Sequence, residues 1–389
     1  MKMIIPQEIP FEGLAVSTLH PIIKWAGGKE KELKHIIPNV PAYFENYYEP
    51  FVGGGSVFTA LTANNYFIND KSTELISLYR YIACQNELFF TYLENIIASW
   101  DKISDYAKER IPSICEQYKS YRSNNITGDG IKTYANSFID RDWPVVETII
   151  TPCFSLHTDM FKKELKKNLV RKILRMKELE TERGLMPEKD IRENIETAFK
   201  GSLYMYYRNL YNDMSTTREK NELATALFVF IRNYCYSGMF RYNNDGLFNV
   251  PYGGIGYNPK TLRKKYEYYK SDELISKLQA TIIESRDFED FLMLHQPNET
   301  DFMFLDPPYD SEFSTYAKNE FTKEDQVRLA TYLADKCRCK WMMVIKNTPF
   351  IRSLYEKDGL NIKIFDKKYL VSFMNRNQKE AKHLLITNY

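Results

Sequence analysis

The chain has no run of about 18 apolar residues, so no segment has the composition of a membrane-spanning helix. The amino-terminal stretch MKMIIPQEIPFEG carries acids and prolines where a secretory signal needs an uninterrupted apolar segment. The six cysteines are scattered, and only Cys337 and Cys339 lie close together, which indicates neither a disulfide framework nor a zinc site. We therefore expect a reducing cytoplasmic setting, without a membrane partner and without a metal.

A strong charge of one sign is also missing. The 53 Lys and Arg residues against 51 Asp and Glu give a formal net charge of +2, which excludes a polycation and an acidic solvating chain. A nucleic-acid binder with one basic face stays possible. What the chain has in excess is aromatic residues, 29 Tyr and 24 Phe, which either fill the core or offer surfaces on which bases stack.

Three blocks that differ in composition and hydrophobic pattern follow one another along the 389 residues. Residues 1–85 and 272–389 alternate short apolar runs with turns, which is typical of strand–helix units in a mostly parallel sheet. Residues 86–271 are charged and mainly helical in pattern. We expect the outer blocks to form one α/β core of Rossmann-like type, with helices on both faces of the sheet, and the middle block to be a large insertion.

Local signals place the first elements of this core. Strands are predicted near Tyr47–Glu49 and Tyr66–Ile68. Helices are predicted to begin after Gly55, with Ser56 as the cap, and after Ser72.

The middle block contains two segments with more than one interpretation. Phe161–Lys177 carries eight Lys and Arg residues against one Glu, which suits a solvated helix face as well as a phosphate-facing one. The aromatic segment Tyr204–Asn212 either enlarges a nucleic-acid footprint or is structural. A glycine-rich stretch that follows reads as a β-hairpin with its turn at Asn244–Gly246.

The loop EPFVGGGS, residues 49–56, joins a predicted strand to a predicted helix. Its glycines Gly53 and Gly55 allow the backbone to approach a ligand closely, although the pattern matches neither G-x-G-x-x-G nor a P-loop. Asp70 follows the next strand, where a carboxylate is placed to accept hydrogen bonds from ribose hydroxyls. Taken singly, the loop is a tight turn and the acid a helix cap; together they favour an adenosine-bearing cofactor.

The sequence DPPY, residues 306–309, ends the apolar run FMFL. Consecutive prolines stop a strand abruptly and hold Asp306, the Pro307 carbonyl and the Tyr309 ring in fixed mutual geometry. Such an arrangement suits methyl transfer to the exocyclic amine of a base: the two acceptors hold the N–H groups of a poorly nucleophilic nitrogen, and the ring holds the base in plane. The segment KWAGGK adds Trp25, which could cover a sulfonium or an adenine, and Lys29, which could pair with a carboxylate.

These pieces, in the order KWAGGK, EPFVGGGSVF, IND with ELISLY, IIESRDFEDF, FLDPPY and NRNQKEAKHLLITNY, resemble the Dam-like DNA adenine-N6 methyltransferases, the alpha group of S-adenosylmethionine-dependent amino-methyltransferases. The resemblance covers about residues 21–80 and 204–389. It implies a site-specific enzyme that methylates the N6 amine of an adenine flipped out of double-stranded DNA, in restriction-modification or phage DNA modification. A monomer is expected, in some cases paired functionally with a restriction endonuclease.

The resemblance also assigns residues. Contacts to S-adenosylmethionine fall to Trp25, Lys29, Phe51, Gly53, Gly55, Asp70 and Asp306, and the catalytic positions to Asp306, Pro307 and Tyr309. The hairpin is similar to the family's DNA-reading hairpin, in which Arg241 corresponds to a guanine-reading arginine, Tyr236 to a wedge, and Met239 and Pro251 to apolar contacts.

Departures from the family pattern leave alternatives open. Ser237 stands where enzymes that read GATC usually carry Asn, and Gly254-Ile255 replaces a basic–aromatic pair, so GATC is not inferred as the target. Cytosine-N4 methylation uses the same amine chemistry, and a catalytically silent DNA-binding protein of this fold is a further alternative. An oxidoreductase with a nucleotide cofactor accounts for the glycine loop but leaves DPPY unexplained.

Overall fold

A computed structural model describes residues 17–154, 157–216, 222–239, 241–309, 321–368 and 380–389. The amino-terminal segment of the signal-peptide argument and the NRNQ part of the last motif lie outside the described residues. What is described falls into two compact units, one within Met1–Cys84 and Asp272–Tyr389 and the other within Gln85–Ser271. Among these residues, none of the helices combines the length and apolar composition that a bilayer crossing requires.

The strands, all in the first unit, are β1 (Asn46–Glu49), β2 (Asn65–Asn69), β3 (Thr281–Glu284), β4 (Phe302–Leu305), β5 (Lys340–Lys346), β6 (Asn361–Lys368) and β7 (Glu380–Thr387). Within the described residues they form one sheet in the order β3-β2-β1-β4-β5-β7-β6. Strands β3, β2, β1, β4 and β5 run parallel, and β7 is antiparallel to both β5 and β6. The predicted mostly parallel sheet is therefore confirmed.

Strand β1 lies between β2 and β4, so the chain leaves it on one side and returns on the other. In an open α/β sheet, this reversal of strand order leaves a crevice outside the carboxyl ends of the strands. The loops that follow β1, β2 and β4 meet at that edge, because the three strands are parallel. These loops carry the glycine run, Asp70 and the DPPY turn, respectively.

The α-helices in chain order are α1 (Leu33–Ile36), α2 (Ser56–Ala60), α3 (Thr73–Ala83), α4 (Glu87–Arg122), α5 (Gly128–Glu147), α6 (Thr158–Arg183), α7 (Glu188–Thr216), α8 (Glu222–Tyr234), α9 (Arg263–Tyr269), α10 (Asp272–Gln279), α11 (Phe288–His295), α12 (Lys323–Asp335) and α13 (Pro349–Tyr355). Short 3₁₀ helices lie at Ile37–Asn39, Pro152–Phe154, Tyr236–Gly238 and Ile255–Tyr257. Helices α4 to α9 belong to the second unit.

Helices cover both faces of the sheet, as predicted. Neighbouring residues of a strand point to opposite faces, so Tyr47 and Tyr48 of β1 report on the two sides. The Tyr48 side is a core formed with residues of α11, α12 and α13. On the other side, Tyr47 packs near Tyr66 of β2, which contacts Phe58 of α2.

The two predicted helix starts have different outcomes. Ser72 caps α3, because its hydroxyl accepts the backbone N–H of Leu75, as predicted. The prediction that Ser56 caps α2 is wrong: Ser56 is the first helical residue, and the cap is Gly55 in the left-handed conformation, with φ +79°. Glycine adopts this conformation without the steric cost that a Cβ atom brings.

The second unit is helical, and α7 packs against α4, α6 and α8. The tyrosines of the aromatic segment Tyr204–Asn212 are buried here: Tyr204, Tyr206 and Tyr207 have no exposed surface. The Tyr204 hydroxyl donates to the Val250 carbonyl at 2.9 Å, and Tyr207 packs edge-on against Phe230. These rings are core residues, so they are not surfaces on which bases stack.

The basic stretch on α6 contacts neighbouring helices of its own unit. Lys162 and Lys166 both pair with Asp140 of α5, at 2.9 and 2.7 Å. Lys172 donates to Asn194 of α7 at 3.1 Å. Because these lysines hold α6 against α5 and α7, the structural interpretation is favoured for them.

The predicted hairpin is present in reduced form. Its strands pair through isolated antiparallel bridges, Cys235 with Tyr252 and Tyr242 with Phe248. Asn243 closes the turn, since its side-chain oxygen accepts the backbone N–H groups of Asp245 and Leu247. The turn lies at the predicted Asn244–Gly246.

Candidate functional site

The glycine loop after β1 is tightly enclosed by its own unit. A Cβ atom on Gly54 would lie 2.4 Å from the Ile23 carbonyl oxygen, and one on Gly55 would lie 2.5 Å from the Tyr79 hydroxyl. A Cβ on Gly53 would lie 2.9 Å from the Trp25 ring. The glycines are therefore required by internal packing as well as by any close approach of a ligand.

Asp70 closes this loop from the end of β2. One carboxylate oxygen accepts the backbone N–H of Gly53 at 3.0 Å, and the other accepts that of Ser72 at 2.8 Å. Burial raises the pKa of Asp70 to about 6, the charge of Asp306 adds to the rise, and the two backbone donors oppose it. Asp70 thus fixes the loop, and its further lone pairs remain acceptors for a ligand.

Asn69, which the sequence analysis did not single out, ties three loops together. Its amide nitrogen donates to the carbonyls of Pro50 and Arg286, both at 3.1 Å, and its oxygen accepts the backbone N–H of Arg286 at 2.8 Å. Asn69 is buried. It therefore sets the spacing between the loops that follow β1, β2 and β3.

Lys29 joins the amino-terminal KWAGGK segment to the DPPY turn. Its side chain is 2% exposed, and its ammonium forms an ion pair with Asp306. The same Nζ atom donates to the Gly27 carbonyl at 2.9 Å and to the Tyr309 hydroxyl at 3.3 Å. All three ammonium hydrogens thus have an acceptor, which fixes the carboxylate and the ring relative to each other.

Glu49, the last residue of β1, is a second buried carboxyl at this edge that the sequence analysis did not select. The Tyr47 hydroxyl donates to it at 2.7 Å. Burial holds its pKa well above the usual range, with Asp306 adding to the rise and Tyr47 and Lys29 opposing it. Its place at the carboxyl end of a strand is the sequence signal for it, but its burial is set by the tertiary structure.

The electrostatics of this edge suit a cationic ligand. The charge of Asp306 raises the pKa of both Glu49 and Asp70, while the Lys29 ammonium pairs with Asp306 and lowers the pKa of Glu49. A ligand with positive charge would relieve the repulsion among the carboxylates. Main-chain and carboxylate acceptors at the same place suit the hydroxyls of a ribose.

Two aromatic residues predicted to flank a cofactor lie at the same edge. Trp25 is half-buried against Gly53, and its backbone carbonyl accepts the N–H of Gly28 at 3.2 Å. Phe51 is half-buried and contacts the rings of Phe288 and Phe321 at 5.6 and 5.5 Å between centroids. Both rings therefore belong to the surroundings of the glycine loop.

The DPPY turn is supported from behind by two fully buried residues. The Gln326 amide donates to the Pro308 carbonyl at 2.8 Å. His383 of β7 packs edge-on against the Tyr309 ring at 5.4 Å between centroids. Asp306 and Tyr309 are half-buried and Pro307 is buried, so the turn is packed against its own unit.

The predicted DNA-binding residues lie together on the hairpin of the second unit. Tyr236 is 46% exposed, and its backbone N–H donates to the carbonyl of the exposed Pro251 at 2.9 Å. Ser237 between Tyr236 and Met239 has φ +55°, a conformation that is uncommon for residues other than glycine, asparagine and aspartate. Arg241 is exposed, and its Nε donates to Asn249 at 3.0 Å.

Comparisons with known proteins give the family of the chain. A family model described as D12 class N6 adenine-specific DNA methyltransferase matches residues 25–141 and 159–373. The chain is 26% identical over 382 residues to a type II methyltransferase of a Paramecium bursaria Chlorella virus, covering 95% of this chain and 100% of the relative. It is likewise 26% identical over 388 residues to a type II methyltransferase of Methanocaldococcus jannaschii, covering 95% and 99%.

A DNA adenine methylase of Escherichia coli is 22% identical over 350 residues, covering 87% of this chain and 85% of the relative. The residues matched by the family model include the glycine loop, Asp70, the hairpin and the DPPY turn. The chain therefore belongs to the D12 class of N6 adenine-specific DNA methyltransferases.

Proposed function

We propose that methyl transfer takes place at the carboxyl edge of β1, β2 and β4, with the target adenine held by the DPPY turn. The observation that carries this proposal is the clasp in which buried Lys29 binds Asp306 and Tyr309 at once. The clasp lies beside the glycine loop and Asp70, so a cofactor and a base bound there would be neighbours.

S-adenosylmethionine, the methyl donor of this family, carries a sulfonium, an ammonium and a ribose, which the acidic edge suits. Asp70 would accept hydrogen bonds from the ribose, and Trp25 and Phe51 would flank the cofactor. Lys29, Gly53, Gly55 and Asp306 complete the proposed binding set. When bound, the cofactor supplies an electrophilic methyl group at its sulfonium; no metal is part of the proposal.

The residues of the turn would make the adenine amine a better nucleophile. The N6 lone pair is delocalised into the ring, and two acceptors that bind its two N–H groups favour the tetrahedral, nucleophilic form. Asp306 and the Pro307 carbonyl would be those acceptors, and Tyr309 would stack on the base. Holding nitrogen and methyl group in line is the main catalytic contribution, since correct positioning removes much of the barrier.

Because the N6 amine lies inside the duplex, the adenine must leave the base stack, which costs a few kcal/mol. The second unit, within 86–271, would act as the target-recognition domain. Arg241 would bind a guanine in the major groove, Tyr236 would wedge into the stack, and Met239 and Pro251 would provide apolar contacts. The recognition sequence is left open, and Ser237 argues against inferring GATC.

Several wider parts of the proposal rest on the relatives and the sequence. Two of the relatives are named type II methyltransferases, which supports a functional pairing with a restriction endonuclease. A monomeric state and a cytoplasmic setting are also proposed. The first test is modification-sensitive long-read sequencing of DNA from cells that express the protein, which reports base, position and sequence motif together. Absence of N6-methyladenine at any motif would contradict the proposal.

A substitution tests the clasp directly. Asp306→Ala should still fold, although the first unit is destabilised because buried Lys29 loses its carboxylate partner. It should reduce methylation of duplex DNA by about 100-fold or more, because the group proposed to contact the reacting amine is lost. The assay is transfer of labelled methyl groups to a duplex that contains the motif, with circular dichroism as the check on folding. Near-normal rates in the Asp306→Ala variant would refute the assigned role.

A further inference from the structure

The exposed Arg241 of the hairpin is held by the side chain of Asn249. The Nε atom of Arg241 donates to the amide oxygen of Asn249 at 3.0 Å. The backbone N–H of Asn249 also donates to the Arg241 carbonyl at 3.1 Å, so the two residues face each other across the hairpin. Since Nε–H is a donor, the amide must present its oxygen, which fixes its orientation.

Asn249 itself stands on an anchored strand. Its neighbours Phe248 and Val250 are buried, whereas Asn249 is half-exposed, as alternation along an extended strand requires. The side chain of Asn212 on α7 binds both the N–H and the carbonyl of Phe248, at 2.9 and 3.0 Å. The Val250 carbonyl accepts the hydroxyl of the buried Tyr204 at 2.9 Å.

The contact divides the guanidinium into two parts. With Nε bound to Asn249, the terminal nitrogens Nη1 and Nη2 of the exposed Arg241 are the pair that remains to contact a base. A bidentate contact to guanine uses two adjacent nitrogens against O6 and N7, and its discrimination depends on the fork being held in register. An exposed arginine without such support loses rotamer freedom each time it binds.

We propose that Asn249 is a positioning residue for base readout: it presents the terminal fork of Arg241 to a guanine and thereby sharpens sequence discrimination without touching the base. This inference rests on the proposed role of Arg241. The rival role for Asn249 is a direct contact with a DNA phosphate. The two roles predict opposite effects of Asn249→Asp. Aspartate keeps the acceptor for Nε of Arg241, which preserves the positioning role, but it repels a DNA phosphate.

The experiment uses the full chain and a duplex containing the motif found by sequencing. Each guanine of the motif is replaced in turn by 7-deazaguanine, which lacks the N7 acceptor, and kcat/KM is measured for every duplex. The position at which Arg241→Ala abolishes the difference between guanine and 7-deazaguanine identifies the base that Arg241 reads. The same ratio is then measured for Asn249→Ala and Asn249→Asp, with Asn244→Ala as the matched control.

Asn244 is a suitable control because it is an exposed asparagine of the same turn whose side chain forms no hydrogen bond with any described residue. We expect Asn249→Ala to lower the discrimination ratio at that guanine by about threefold to tenfold, the range for ordering one long side chain. Asn249→Asp should restore the ratio, even where its charge weakens binding to all duplexes alike. Asn244→Ala should leave the ratio unchanged.

Three results would overturn the inference. If Arg241→Ala abolishes the discrimination between guanine and 7-deazaguanine but Asn249→Ala leaves it unchanged, only the positioning role of Asn249 is refuted. Equal weakening on every duplex, with no rescue by Asn249→Asp, would assign Asn249 to a phosphate instead. If Arg241→Ala changes the ratio at no position, the proposed reading by Arg241 is wrong, and the role of Asn249 with it.

Discussion

Replacing Lys29 with methionine should show how strongly the stability of the candidate site at the carboxyl ends of β1, β2 and β4 depends on one buried ammonium. Methionine keeps the apolar stem and removes the charge, so the main loss is the ion pair with Asp306 and the hydrogen bonds to Gly27 and Tyr309. Removing one partner of a buried pair costs about 3–5 kcal/mol, because the other charge is left uncompensated. Since the Asp306 side chain is 20% exposed, we expect about 3 kcal/mol at pH 8.

A double-mutant cycle separates the charge from the packing. In the Asp306→Asn background the buried ammonium has already lost its carboxylate, so Lys29→Met removes an uncompensated charge along with its hydrogen bonds and should cost close to nothing. The coupling energy between the two sites is then about 3 kcal/mol. Urea denaturation followed by hydrogen exchange of peptides from β1 and β4 reports on the first unit specifically.

The same variant has a pH signature. Burial holds the pKa of Glu49 well above its usual range and Lys29 opposes that rise, so without Lys29 this carboxyl binds a proton more readily still. The destabilisation by Lys29→Met should therefore be full at pH 8 and shrink as the pH falls toward 5. Equal costs in both backgrounds, or a cost that does not change with pH, would refute the reasoning.

Two further predictions concern the loop after β1. Burial raises the pKa of Asp70 to about 6, so below that pH a bound proton has to leave before the carboxylate can bind S-adenosylmethionine. The affinity for S-adenosylmethionine should therefore fall as the pH drops through about 6. Calorimetric titration from pH 8 to 5 should show this fall, and Asp70→Asn should flatten the profile. A steeper profile in Asp70→Asn would contradict it. Gly54→Ala should destabilise the fold by about 2–4 kcal/mol, because its Cβ would lie 2.4 Å from a carbonyl oxygen. The control Gly256→Ala, with open space at its Cβ, should change the stability by no more than about 1 kcal/mol. Equal melting temperatures for the two variants would contradict this prediction and show that the loop can move to accommodate a Cβ atom.

Much of the candidate site could be predicted from the sequence, because each of its motifs lies within a few consecutive residues. A strand followed by glycines, an acid at the end of the next strand and a double proline each have a physical meaning within a few residues. The structure confirms the strands that carry them and the cap at Ser72. The Ser56 cap failed because glycine at the preceding position can itself end the loop in a left-handed conformation.

Other residues were missed because their meaning is tertiary. Glu49 and Asn69 are ordinary polar residues in the sequence, and burial against distant loops gives them their roles. The tyrosine-rich segment of α7 was ambiguous for the same reason. A ring in the core and a ring that stacks on bases have the same sequence, and only the packing of α7 against α4 and α8 decides between them.

By itself, the sequence determined which chemical groups are available and the order in which they occur: KWAGGK, the glycine loop, an acid at a strand end, and DPPY. Only the tertiary structure decided that β4 lies beside β1. This places Lys29 next to Asp306, although the two residues are far apart in the sequence. The physical reason is that side-chain chemistry is fixed residue by residue, whereas proximity is fixed by strand order. That order depends on the burial of both faces of the sheet at once and is carried by no single segment.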